Sequence, residues 1–181
     1  MEKSKKTNLK DCILISLFSA IIAVSSLISI PSPVPFTLQT LAIFCALTVL
    51  GGKKGTISII LYIFLGIIGL PVFAGFSGGL GHLMGATGGY ISGFILTALT
   101  FCIVTTKGQN NTKLQIIGLV AGLIICYISG TLWYTVVYLG DLTLKSFVSS
   151  FTLCVLPFVI PDAIKLAVAV IINKKLLQIR N

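Results

Sequence analysis

The chain has 181 residues, 56% of them hydrophobic and only 9% charged, with a formal net charge of +9 and a mean hydropathy of +1.08. A soluble domain carries far more charge, so the composition is that of an integral membrane protein. A chain this apolar offers no solvated basic face to nucleic acid, and its positive excess instead reports membrane topology.

Met1-Glu2-Lys3-Ser4-Lys5-Lys6 before an apolar run has the look of a secretory signal. Cys12–Ile30 is nevertheless about long enough to span, and more spans follow, so a retained anchor is expected. Six hydrophobic stretches can be drawn: Cys12–Ile30, Leu38–Leu50, Thr56–Leu70, Tyr90–Thr105, Leu114–Leu139 and Phe151–Ile172. They predict an all-α integral membrane protein of six transmembrane helices. Residues 1–181 form one membrane domain, with short tails at 1–11 and 173–181. The second and third stretches fall short of the ~20 residues of a full crossing. Irregular or shortened backbone at that depth is tolerated only against protein or water, so a cavity beside them is expected.

The charges alternate between loops. Lys3, Lys5, Lys6 and Lys10 precede the first stretch, and Lys53 and Lys54 join the second to the third. Lys107 and Lys113 join the fourth to the fifth, and Lys174, Lys175 and Arg180 follow the sixth, whereas the opposite loops hold only Asp141 and Lys145. An even number of crossings with that bias puts both termini in the cytoplasm.

The outward loops are then the distinctive ones. In Pro31-Ser32-Pro33-Val34-Pro35-Phe36-Thr37, proline at every second position excludes helix and favours extended backbone. The stretch from Pro71 to Gly89 holds seven glycines and no formal charge, which suits either close backbone approach to an anionic group or a flexible exposed loop. Small residues recur at four-residue spacing in Ser16/Ala20, Ser19/Ala23, Gly85/Gly89/Gly93 and Gly118/Gly122. Such spacing lets helices approach closely in a membrane. Most of these pairs are expected to be internal packing, while the one on the first span could dock a separate membrane subunit.

The last hydrophobic run contains Pro161-Asp162-Ala163-Ile164-Lys165. Ionisable groups at membrane depth face a cavity or a partner, and spacing i to i+3 puts Asp162 and Lys165 on one helix face. Two readings stand. The pair neutralises itself and fixes helix packing, or it is a clamp whose carboxylate accepts N–H and whose ammonium donates to C=O, as a cyclic urea or amide would require. Thr37, Gln39, Ser77, Thr87 and Tyr90 are the other polar residues expected at a cavity. Trp133, Tyr134, Tyr138 and Phe158 could stack on a ring or form an interfacial belt.

Other chemistry is missing. Lys53-Lys54-Gly55-Thr56 does not meet phosphate-loop spacing, and there is no nucleotide-binding motif. Five scattered cysteines, no CxxC and a single histidine give no zinc site of ordinary spacing and no disulfide framework. His82 lies far in sequence from Asp11, Asp141 and Asp162 and is expected to be a loop residue rather than a catalytic base. An enzyme is therefore not expected. A self-sufficient ion-coupled carrier using Asp162 and Lys165 remains an alternative, although the duplicated halves of a secondary transporter are not visible.

Four ordered blocks now suggest a family. They are Pro33-Val34-Pro35-Phe36-Thr37-Leu38-Gln39, Gly66-Ile67-Ile68-Gly69-Leu70-Pro71-Val72-Phe73, Gly85-Ala86-Thr87-Gly88-Gly89-Tyr90-Ile91-Ser92-Gly93-Phe94, and Pro161-Asp162-Ala163-Ile164-Lys165. Together the chain resembles the BioY family, the biotin-binding S components of energy-coupling factor transporters. It departs at Ala86, where the family has proline. The resemblance implies an S-component-like bundle in a prokaryotic cell membrane, with an outward-facing cavity that captures biotin. It also implies a transmembrane coupling subunit and two ATPases supplied by other chains, and no cofactor in this one. Asp162 would take the ureido N–H and Lys165 the ureido carbonyl, with Gln39, Tyr90 and the glycine-rich loop as weaker carry-overs. Arg180 sits at the cytoplasmic tail, so backbone amides of the Gly75–Gly89 region, or a polar side chain, are expected to meet the carboxylate. Ser16, Ala20 and Ala23 match the position where S components dock their coupling subunit.

Overall fold

In the computed structural model, residues 9–141 and 143–180 are described, so Lys3, Lys5 and Lys6 lie outside it, as does the Arg180 side chain. The chain runs α1 (Leu9–Leu27), β1 (Ser29–Ile30), β2 (Phe36–Thr37), α2 (Gln39–Leu50), α3 (Gly52–Ile67) and α4 (Leu80–Leu83). It continues through α5 (Gly88–Val104), α6 (Thr112–Trp133), α7 (Leu144–Cys154) and α8 (Leu156–Arg180). Among the described residues four helical segments are long and apolar enough to cross a membrane alone: Leu9–Leu27, Gly88–Lys107, Thr112–Tyr138 and Leu156–Ile179. The twelve-residue α2 and sixteen-residue α3 are shorter and fold back on each other. Gly51, at φ +82°, makes the whole turn between them, a conformation glycine adopts without the penalty a Cβ would bring.

Six helices thus alternate between two ends of the bundle. At one end Lys54 Nζ pairs with Asp11 at 2.6 Å, the Gln109 side chain covers Gly51, and Asn173 donates to Gln115 at 3.1 Å. The start of α1, the α2–α3 turn, the α5–α6 connection and the last turns of α8 therefore meet there, and with them the lysine-rich loops. The proline-rich and glycine-rich loops occupy the other end. Prolines 31, 33 and 35 keep the first of these extended, and it closes as an antiparallel hairpin pairing Ser29 with Thr37 and Ile30 with Phe36. The first helix accordingly stops at Leu27, short of the expected Ile30.

The last hydrophobic stretch is not one helix. It breaks at Val155 between α7 and α8. Pro157 has no N–H for the Leu153 carbonyl, and its ring would crowd that carbonyl in a continuous helix. Downstream, α8 continues through residues 173–180, so the C-terminal tail is helical.

Small residues form the seam between α5 and α6. A Cβ on Gly93 would stand 3.2 Å from the Cys126 Cα, and one on Gly122 would stand 2.9 Å from the Thr97 carbonyl oxygen. Thr97 fills that contact by donating to the Gly122 carbonyl at 2.9 Å. Gly118 meets Phe101, and Gly130 meets the Tyr90 ring, 2.3 Å from where a Cβ would sit. Gly130→Ala is expected to lower stability by about 1–3 kcal/mol, the scale of an overpacked core. A thermal unfolding midpoint in detergent equal to wild type would show that the Tyr90 ring moves aside freely.

On α1, Ser16 and Ala20 face outward, while Ala23 is half-buried against the core. Ser19, on the inner face, is buried without a hydrogen-bond partner among the described residues. Ile13, Leu17 and Val24 on α1, and Ile117, Ile124 and Ile128 on α6, are exposed, as expected of surfaces that meet lipid chains.

Candidate functional site

The site is built around α8. Asp162 is 2% exposed and Lys165 7%, and their side chains meet at 2.8 Å through Lys165 Nζ and Asp162 Oδ1. The ammonium has three protons, and each has an acceptor. Besides the carboxylate, Lys165 Nζ donates to the Thr37 carbonyl at 2.8 Å and to Thr40 Oγ1 at 2.9 Å. It also lies 4.2 Å from the centroid of the Phe36 ring, a favourable place for a desolvated cation. Asp162 is equally well supplied. Oδ1 accepts from Thr40 at 2.8 Å, and Oδ2 accepts from the Tyr127 hydroxyl at 2.7 Å. Elements α2, α6, α8 and the hairpin are therefore tied together by one charged pair.

This arrangement answers the desolvation problem of a buried ion pair, which is tolerated when hydrogen bonds satisfy the remaining lone pairs and protons. Tyr127→Phe removes one donor to the carboxylate. It is expected to lower stability by about 1 kcal/mol, read as a lower unfolding midpoint, and an unchanged midpoint would show that Oδ2 needs no protein donor.

The pair lines a cavity with an empty volume of about 660 Å³, part of it open to solvent. The walls are largely apolar, with Val34, Phe73, Ile91, Phe94, Leu123 and Phe158 among them. Phe158 stacks on Phe36 at 5.8 Å. Polar groups are few and placed. Gln39 Nε2 donates to the Tyr62 hydroxyl at 3.0 Å, and the Gln39 backbone N–H donates to Thr37 Oγ1 at 3.2 Å. Tyr90 is within 3.4 Å of Thr131 Oγ1 and 3.5 Å of the Cys154 carbonyl.

A further group comes from the glycine-rich loop. His82 stacks on Phe73, with ring centroids 5.2 Å apart and 19° between planes. Its Nε2 is 3.1 Å from Thr87 Oγ1 and 3.5 Å from Ser77 Oγ. Burial of this imidazole holds its pKa below the ordinary histidine range, because the charged ring is less well solvated there.

Of the residues expected at a cavity, Thr37, Gln39, Thr87, Tyr90, Asp162 and Lys165 all line this one. Ser77 stands behind His82 rather than in the wall. Thr40, Tyr62, His82 and Tyr127 were not anticipated. Thr40 lies in the first turn of α2 beside Gln39, a polar residue in a short apolar stretch. Tyr127 is a hydroxyl in the middle of a long apolar run, away from the interfacial belt, which also points inward. Trp133, Tyr134 and Tyr138 lie outside the lining. Trp133 Nε1 donates to the Gly85 carbonyl at 3.0 Å, and the two tyrosines pack on each other at 5.1 Å.

With this geometry in hand, likeness to known proteins is informative. The sequence profile of the BioY family matches residues 1–181. The probable biotin transporter BioY of Pyrococcus horikoshii is 40% identical over 168 residues, covering 92% of this chain and 96% of that protein. The biotin transporter BioY of Thermotoga maritima is 41% identical over 161 residues, covering 88% and 91%. In three dimensions the chain is similar to the crystal structure of an S component for biotin from an ECF-type ABC transporter. The TM-score is 0.81 at 28% identity, over 98% of this chain and 95% of that one. By the full-length match and by this level of identity, the chain belongs to the BioY family.

Proposed function

We propose that this protein is the biotin-capturing S component of an ECF-type transporter, a membrane subunit that binds the vitamin and leaves energy coupling to other chains. The observation that carries the reading is the buried Asp162–Lys165 pair set into the wall of a mostly apolar cavity. Biotin's cyclic urea offers two N–H donors and a carbonyl acceptor, the complement of a carboxylate and an ammonium. Asp162 accepts from the ureido N–H and Lys165 donates to the ureido carbonyl. Lys165 has no unused proton in this structure, so the ureido oxygen takes the place of Thr37 or Thr40. The thioether ring and aliphatic chain lie against Phe73, Phe94, Leu123 and Phe158. Gln39 and Tyr90 complete the polar wall.

The lysine-rich end of the bundle faces the cytoplasm under the positive-inside rule, which places both termini inside and the hairpin and glycine-rich loop outside, in a prokaryotic cell membrane. A coupling subunit docks on the exposed small-residue face of α1 at Ser16 and Ala20, and two ATPase subunits hydrolyse the ATP that this chain has no motif to bind.

The test is equilibrium binding of biotin to the purified full chain in detergent. Nanomolar-range binding supports the reading. A folded protein that does not bind biotin removes the assignment while leaving the six-helix architecture.

A further inference from the structure

The lining of the cavity holds two side chains able to carry positive charge, Lys165 and His82. All three protons of Lys165 are engaged by Asp162, Thr37 and Thr40, and in the reading above the ureido carbonyl takes over one of them. The chain's one arginine, Arg180, ends α8 at the lysine-rich end of the bundle. His82 is what remains for an anionic group.

Its setting is a built one. The ring is held flat against Phe73, which is itself 1% exposed and braced edge-on by Tyr62 at 5.6 Å. Ser77 donates its proton to the Ala74 carbonyl at 2.7 Å. Thr87 Oγ1 lies 3.1 Å from His82 Nε2 and Ser77 Oγ 3.5 Å from it, so that nitrogen is engaged whichever tautomer the ring holds. Nδ1 has no partner among the described residues. A carboxylate beside the ring favours its protonated form, in which Nδ1–H is a donor.

We propose that His82 receives the carboxylate of the captured solute, Nδ1–H donating to one carboxylate oxygen. The cavity then has two recognition poles made by different elements. Helices α2, α6 and α8 supply the urea pole through Asp162 and Lys165, and the α4–α5 segment supplies the acid pole through His82 and Thr87. The inference rests on the biotin reading. It assigns the acid end of the ligand to a side chain that the sequence presents as an ordinary loop histidine.

The experiment compares biotin with biotin methyl ester, which keeps the ureido ring and the chain but has no anion. Both are titrated into detergent-purified wild type, His82→Leu and His82→Phe. Wild type is expected to prefer the acid. His82→Leu is expected to weaken biotin about tenfold, the lower end for a lost hydrogen bond to a charged group, and to leave the ester within about twofold. Unchanged ester binding also shows that the variant is folded. Should His82→Leu not fold, His82→Phe is read by the same comparison, since it keeps a flat ring against Phe73 but has no N–H. Equal losses for both ligands, or no loss for either, would overturn the role of His82 and leave the biotin assignment intact. A folded wild type that binds neither ligand overturns the assignment itself, and this inference with it.

Discussion

Asp162→Asn is expected to weaken biotin binding by about 1.5–3 kcal/mol, or roughly 10- to 150-fold, while the protein stays folded. The carboxylate is the acceptor for the ureido N–H, and an amide presents one acceptor oxygen where the carboxylate presents two. The fold tolerates the change because Lys165 keeps the Thr37 carbonyl, the Thr40 hydroxyl and the Phe36 ring around its ammonium. Titration of biotin into the folded variant decides the matter. Affinity equal to wild type would remove Asp162 from the ligand contact and leave it as a packing residue.

Lys165→Ala is expected to do more damage, and of another kind. Asp162, 2% exposed, would keep the Thr40 and Tyr127 hydroxyls but lose the cation paired with it. Removing one partner of a buried pair typically costs about 3–5 kcal/mol, because it strands the other charge. The unfolding midpoint should therefore fall further than in Asp162→Asn. The double variant Asp162→Asn/Lys165→Met should recover most of that loss, since no charge is left stranded, and should still fail to bind biotin. Recovery of stability without recovery of binding separates the two readings that the i to i+3 spacing left open. If the double variant binds biotin, the pair serves helix packing alone.

Much of this architecture could be read along the chain. The alternation of lysine-rich and lysine-poor loops predicts six passes because it is a local, cumulative signal, and the segments that carry the lysines meet at one end of the bundle. The proline-spaced segment 31–37 could be read as extended for an equally local reason, the loss of N–H groups and fixed φ. What could not be read was long-range. Lys165 reaches Thr37 and Thr40, residues 128 and 125 positions away, and no periodicity in either segment announces the meeting. His82 illustrates the same gap, because distance in sequence from the aspartates says nothing of its place in the cavity wall. The break at Val155 differs, for Pro157 was visible and its effect on a continuous helix is general.

The chain contains one tryptophan, and its indole joins α6 to the Gly85 carbonyl of the glycine-rich loop while lying against Gly88 and Gly89. Ultraviolet emission from this protein excited at the red edge of its absorption therefore comes from a single chromophore at a known joint. Its wavelength and quenching report whether that loop is seated on α6, with no dye attached and no background from a second indole to subtract.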